Sequence, residues 1–128
     1  MSESDRATAD GRPPVWVGHV TLPSPEIAQT YEFLVRLGLR PITVGEDFGV
    51  LELRGGTHLV LLRSEQEAGL AGFDLMVEDI DATERELRES GIETTEMERG
   101  QIHSSFFIKT PAGHTIKFNS THVSDQPV

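Results

Sequence analysis

The sequence predicts an α+β protein built from two βαβββ modules that share one core and form a half-open barrel around a central cleft. Three observations lead there. The segment His19–Pro41 (HVTLPSPEIAQTYEFLVRLGLRP) lines up without gaps on Gly72–Thr94 (GFDLMVEDIDATERELRESGIET), so that Ile27 meets Ile80, Leu34 meets Leu87, Gly38 meets Gly91 and Leu39 meets Ile92. A second match sets GTHLVLLR from Gly56 against GHTIKFNS from Gly113. The length, 128 residues, suits two half-length modules with a common core better than two independent domains.

The elements follow in order. Val15 to Leu22 alternates and is rich in β-branched and aromatic residues, which predicts a strand stopped by Pro23-Ser24-Pro25. Ser24 is the expected N-cap of the next helix, with Pro25 at its first position and Glu26 near its positive end. Ile27, Tyr31, Leu34 and Val35 recur at helical spacing, and Gly38 closes the helix. Strands are expected at Arg40–Val44, Gly49–Leu53 and Thr57–Arg63, the last two joined through Gly55-Gly56. The second copy repeats the order. It has a strand at Phe73–Val77, a helix from Asp79 to Ser90 closed by Gly91, and strands at Glu93–Glu98, Ile102–Thr110 and His114–Asn119, with a Pro111-Ala112-Gly113 turn before the last. Module one is thus assigned to 15–63 and module two to 72–122 of a single domain, with flexible polar tails at 1–14 and 123–128.

Composition narrows the function classes. The absence of cysteine excludes disulfides, thiolate metal sites and cysteine nucleophiles. No apolar run reaches the ~20 residues of a membrane span, and the N-terminal stretch lacks a signal peptide's apolar segment, so a soluble cytoplasmic protein is expected. With 21 acidic against 11 basic residues, the formal charge is −10, and no basic face for nucleic acid is visible.

Because side chains on a strand alternate between faces, the strands sort into two sets. Val20, Leu22, Leu59, Leu61, Phe73, Leu75, Val77, Ile116 and Phe118 form an apolar set that should pack on the helices. The opposite set is mixed: Val17, His19 and Thr21; His58, Val60 and Leu62; Gly72, Asp74 and Met76; Thr115, Lys117 and Asn119. An apolar surface carrying a few polar groups suits a small-molecule site. Asp74 in an apolar strand is expected to be buried and therefore paired, with His19 or Lys117. His58, next to a Gly-Gly turn, is either a site residue or an exposed strand end. His114 at its turn and His122 near the tail are expected in solvent. His103-Ser104-Ser105 makes no triad, because adjacent side chains on a strand point apart, and the Glu84–Glu89 run is a solvated helix face.

The repeated unit, with the phrases GHVTLPSPEIAQTYEFLVRLGL, VEDIDA and TPAGHTIKF, resembles the vicinal oxygen chelate superfamily, the group of glyoxalase I, bleomycin resistance proteins and extradiol dioxygenases. The likeness spans about residues 15–122. It implies a homodimer and a divalent metal held by a histidine and a glutamate from each module. Carried over position by position, those ligands fall at His19, Val60, Gly72 and Lys117, of which only His19 can coordinate. The standard metal site is therefore expected to be degenerate. A shifted set, His19, His58 and Asp74 with Asn119 nearby, is the one arrangement that would restore a divalent metal.

Two readings stay open. One is a metal-independent protein binding a small organic molecule through Val17, Val60, Leu62 and Met76, with His19, His58, Asp74, Lys117 and Asn119 orienting its polar atoms. The other is an enzyme of lyase, isomerase or dioxygenase type, using the shifted metal or a metal-free pair in which His19 is the base and Asp74 its partner.

Overall fold

Each half of the chain folds as a four-stranded mixed sheet covered by one helix. The computed structural model describes residues 8–128. Module one consists of β1 (His19–Ser24), α1 (Ile27–Leu37), β2 (Arg40–Val44), β3 (Phe48–Glu52) and β4 (His58–Arg63). Module two consists of β5 (Leu70–Val77), α2 (Ile80–Glu89), β6 (Glu98–Arg99), β7 (Ser104–Lys109) and β8 (Thr115–Ser120). The sheet orders are β1-β4-β3-β2 and β5-β8-β7-β6. In each, the first strand runs parallel to the last and the other pairs are antiparallel. The internal repeat is thus a repeat of topology. The outer strands β1 and β5 lie side by side, which joins the two sheets without closing a barrel.

The apolar set packs as its alternation predicts. Leu22, Leu59, Leu61, Ile116 and Phe118 are buried together with Ile27, Leu34, Ile80 and Leu87 from the two helices. Phe106 and Phe118 stack with ring centroids 5.3 Å apart. Gly38 ends α1 at a left-handed φ of 119°, and its N–H reaches back to the Leu34 and Val35 carbonyls. Asp79 caps α2, accepting from the Ala82 N–H at 3.0 Å.

Four local expectations need correction. β1 begins later than expected and runs through Pro23 to Ser24; it is an outer strand of its sheet, where a proline's missing N–H is tolerated. Ser24 is not the N-cap of α1. Its fully buried hydroxyl accepts from the Glu26 N–H and bonds the Thr30 hydroxyl at 2.8 Å, and the helix starts at Ile27. The strand expected at Glu93–Glu98 shrinks to Glu98–Arg99 plus a bridge from Thr94 to Ile108. There the Thr95 hydroxyl takes the Phe107 N–H, so a side chain replaces a ladder bond. The strand expected from Ile102 starts at Ser104, because the Gly100 N–H bonds the His103 carbonyl and turns the chain, leaving Ile102 exposed.

His114 is the largest departure. It was expected in solvent and is only 2% exposed. Its Nε2 lies 2.7 Å from the Pro23 carbonyl, to which it must donate. Its Nδ1 therefore accepts from the Thr110 hydroxyl, also at 2.7 Å, and its own N–H donates to that hydroxyl at 2.9 Å. This ring ties the β7–β8 turn of module two to the end of β1 in module one. Outside the core, Arg99 of β6 bonds Asp81 in the first turn of α2. That hydrogen bond, with the guanidinium charge, holds the Asp81 carboxyl below its ordinary value.

His114→Ala should lower the unfolding free energy by about 2–3 kcal/mol in urea titrations, since it removes both hydrogen bonds of the ring and opens a cavity. Asp81 adds a pH-dependent contribution of known sign. A lowered carboxyl stabilises the fold above its unfolded value, and the stabilisation is lost as pH falls through the folded value. Asp81→Asn should therefore make thermal stability less dependent on pH in the acid range.

Candidate functional site

The sheet faces turned away from the helices meet along β1 and β5 as one open surface. Its apolar side chains are more exposed than core-forming residues would be: Leu62 is 46% exposed, Met76 44% and Phe48 44%. Val60 and Val50 lie half-buried between them, in register on β4 and β3. Val17 lies two residues before β1 and is also exposed; its carbonyl accepts from the Thr57 hydroxyl at 2.6 Å. The face is therefore open to solvent. A separate hollow of about 660 Å³ lies between the segment 8–16, Gly55 and Val128, where it holds none of the expected site residues.

On module one the polar groups form a row. Arg40, Glu52, His58 and His19 stand in register across β2, β3, β4 and β1. Glu52 lies at the centre of the bonding: one oxygen takes the Arg40 guanidinium at 2.6 Å and the other faces His58 Nε2 at 3.1 Å. A carboxylate oxygen only accepts, so the His58 Nε2–H donates to Glu52, and Nδ1 has no bonding partner among the described residues. The His19 ring stands edge-on to His58, with centroids 6.0 Å apart. His58 is thus a half-buried residue of the open face, held by Glu52.

Module two carries a second row, Asp74, Lys117 and Phe107, in register across β5, β8 and β7. The cluster expected from His19, Asp74 and Lys117 does not form. Asp74 is exposed, so burial does not force it to take a cationic partner. Its carboxylate accepts from Asn119 Nδ2 at 2.7 Å. Lys117 turns the other way, its ammonium 5.9 Å from the centroid of the Phe107 ring. Asn119 is buried, and with Nδ2 committed to Asp74 its Oδ1 is enclosed without a partner among the described residues.

The donor set does not fit a divalent metal. Of the four positions carried over, Val60 and Gly72 offer no side-chain donor and Lys117 brings a positive charge. The shifted arrangement is not assembled either. His19 and His58 are neighbours, but Asp74 is engaged by Asn119 on the other sheet, and among the described residues no three His, Asp or Glu side chains gather as a coordinating set. The acid–base pair read from the sequence is likewise rearranged: the carboxylate that holds a histidine is Glu52 and the histidine is His58. Glu52, Arg40, Phe48 and Phe107 were missed. Glu52 had a usable signal, since it and His58 flank the Gly55-Gly56 turn and a hairpin register would have set them opposite each other.

No family model matches the sequence, and no curated protein matches it. Solved structures do match. Lactoylglutathione lyase from Agrobacterium tumefaciens is 14% identical over 87% of this chain and 97% of its own, with a TM-score of 0.72. A bleomycin-binding protein from Streptomyces verticillus, complexed with copper(II)-bleomycin, is 20% identical over 84% of this chain and 97% of its own, with a TM-score of 0.67. An antibiotic binding protein from a Streptomyces species is 19% identical over 83% of this chain and 95% of its own, with a TM-score of 0.71. The fold is the one that these lactoylglutathione lyase, bleomycin-binding and antibiotic binding structures share.

The two faces predict opposite sensitivities at neighbouring positions. Leu59→Ala, on the helix side of β4, should cost about 3 kcal/mol of stability. Val60→Ala, on the open side of the same strand, should cost less than about 1 kcal/mol in the same denaturation series.

Proposed function

We propose that this chain is a small-molecule-binding protein that holds an organic ligand on the open sheet face without a resident metal ion. The observation that carries the reading is the face itself: large apolar side chains left in contact with water around a few fixed polar groups, at the place where the carried-over ligand positions read His19, Val60, Gly72 and Lys117. Val17, Val60, Leu62 and Met76 supply apolar contact; His19, His58, Asp74, Lys117 and Asn119 set orientation. The bleomycin-binding and antibiotic binding proteins named above support a sequestering role on this scaffold. The protein acts as a cytoplasmic homodimer in this reading. No described helix is long and apolar enough to cross a membrane.

One observation favours a second reading, a metal-free lyase or isomerase. Glu52 bonds and orients His58, leaving its second ring nitrogen free to accept a proton. In that case His58 is the base and His19 a neighbouring donor, and turnover of a bound compound disappears in His58→Ala while its binding survives.

Protein purified without a histidine tag or added metal should contain no stoichiometric Zn, Ni, Fe or Mn by elemental analysis. A ligand found by thermal-shift screening should raise the melting temperature equally with and without chelator, by the equivalent of about 2.7 kcal/mol at a hundredfold excess over Kd. Near-stoichiometric metal that is lost in His58→Ala or Asp74→Ala would overturn the proposal. The combined variant Val60→Glu, Gly72→His and Lys117→Glu should gain one divalent ion. A Cβ at Gly72 meets nothing within 4 Å, so the new side chain has room.

A further inference from the structure

The chain contains two lysines, Lys109 and Lys117, and both stand on the open face of module two. They flank one aromatic ring. Lys117 lies directly across from Phe107 on β8, and Lys109 follows Phe107 by two residues on β7, hence on the same face. Their electrostatic situation differs from that of six of the eight described arginines, the exceptions being Arg36 and Arg85. Arg12, Arg40, Arg54, Arg63, Arg88 and Arg99 each reach a carboxylate. Among the described residues neither lysine ammonium does, in a chain with a formal charge of −10. Asp74 is opposite Lys117 in register and would be the obvious partner, yet its carboxylate is taken by Asn119 and the Lys117 ammonium rests over Phe107.

Two uncompensated ammonium groups beside a half-buried aromatic plane make a recognisable subsite. The ring offers stacking area, and the lysines offer charge to an anionic substituent at the ring's edge. The Thr95 hydroxyl, bonded to the Phe107 N–H, holds that strand in place. We infer that Phe107, Lys117 and Lys109 form the anion-recognising end of the open face, and that the ligand is a planar aromatic anion such as an aromatic carboxylate, sulfonate or phenolate. The inference rests on the reading of this face as a binding site and adds the chemical class of what it binds. It runs against the overall charge of the protein, which repels anions, so a preference for an anion has to come from a local group.

Two dyes of nearly the same aromatic skeleton test it. 8-Anilinonaphthalene-1-sulfonate carries a negative charge and N-phenyl-1-naphthylamine carries none; binding of each to the full-length protein is followed by fluorescence titration, with near-ultraviolet circular dichroism confirming the fold of every variant. The native protein should bind the sulfonate dye about tenfold more tightly than the neutral dye, the advantage expected of one charge-assisted contact. Lys117→Met should remove most of that advantage while changing the neutral dye's affinity by less than about twofold, and Lys109→Met should do the same more weakly. Lys117→Arg should retain it, and salt at about 0.5 M should compress it. Equal affinities for the two dyes, or a ratio unchanged by Lys117→Met, would overturn the inference while leaving a neutral-ligand site intact. Failure of the folded protein to bind either dye would overturn both the inference and the binding reading beneath it.

Discussion

The structure depends on the burial of one face of each four-stranded sheet under a single helix. Leu22, Leu59 and Leu61 in one module and Ile116 and Phe118 in the other are committed to that contact. The pleat then leaves every alternate residue on the far side, released from any packing duty. Stability and ligand contact are in this way assigned to interleaved positions of the same strands. The far face can change composition without loss of the fold, consistent with a scaffold shared at 14–20% identity by proteins named for quite different tasks.

Duplication supplies a second constraint, and divergence at matched positions shows where it was relaxed. The two modules keep the same strand order and the same helix-closing glycines, Gly38 and Gly91. Their open faces have separated in chemistry. Module one has a polar row in which Arg40, Glu52 and His58 are hydrogen-bonded and His19 stands edge-on to His58. Module two has a carboxylate held by an amide, two lysines that reach no carboxylate among the described residues, and an aromatic ring. A ligand lying across the junction of β1 and β5 would meet two unlike ends, which favours one orientation over its reverse.

His114 shows how the modules are held in register with each other. Its imidazole spans them with hydrogen bonds at both nitrogens, so the end of β1 and the β7–β8 turn are fixed relative to one another. The position looked solvent-facing in the sequence because a histidine after a Pro-Ala-Gly turn has no apolar neighbour to mark it as interior. Its burial comes from Pro23, distant in sequence, whose carbonyl needs a donor that only the fold brings near.

By itself the sequence determined the repeat, the order of strands and helices, the apolar set that faces the helices, and the loss of side-chain donors at Val60 and Gly72 with a cation at Lys117. These are properties of single positions or of short periodic stretches, and local physics decides them. The tertiary structure decided which polar groups meet. Glu52 rather than Asp74 holds a histidine, Asn119 rather than Lys117 holds Asp74, and Thr95 takes the place of a strand bond beside Phe107. Each of these depends on cross-strand register or on a side-chain rotamer. Register is set by ladder bonds between segments far apart in the chain, and alternation alone gives the face of a residue without naming its neighbour.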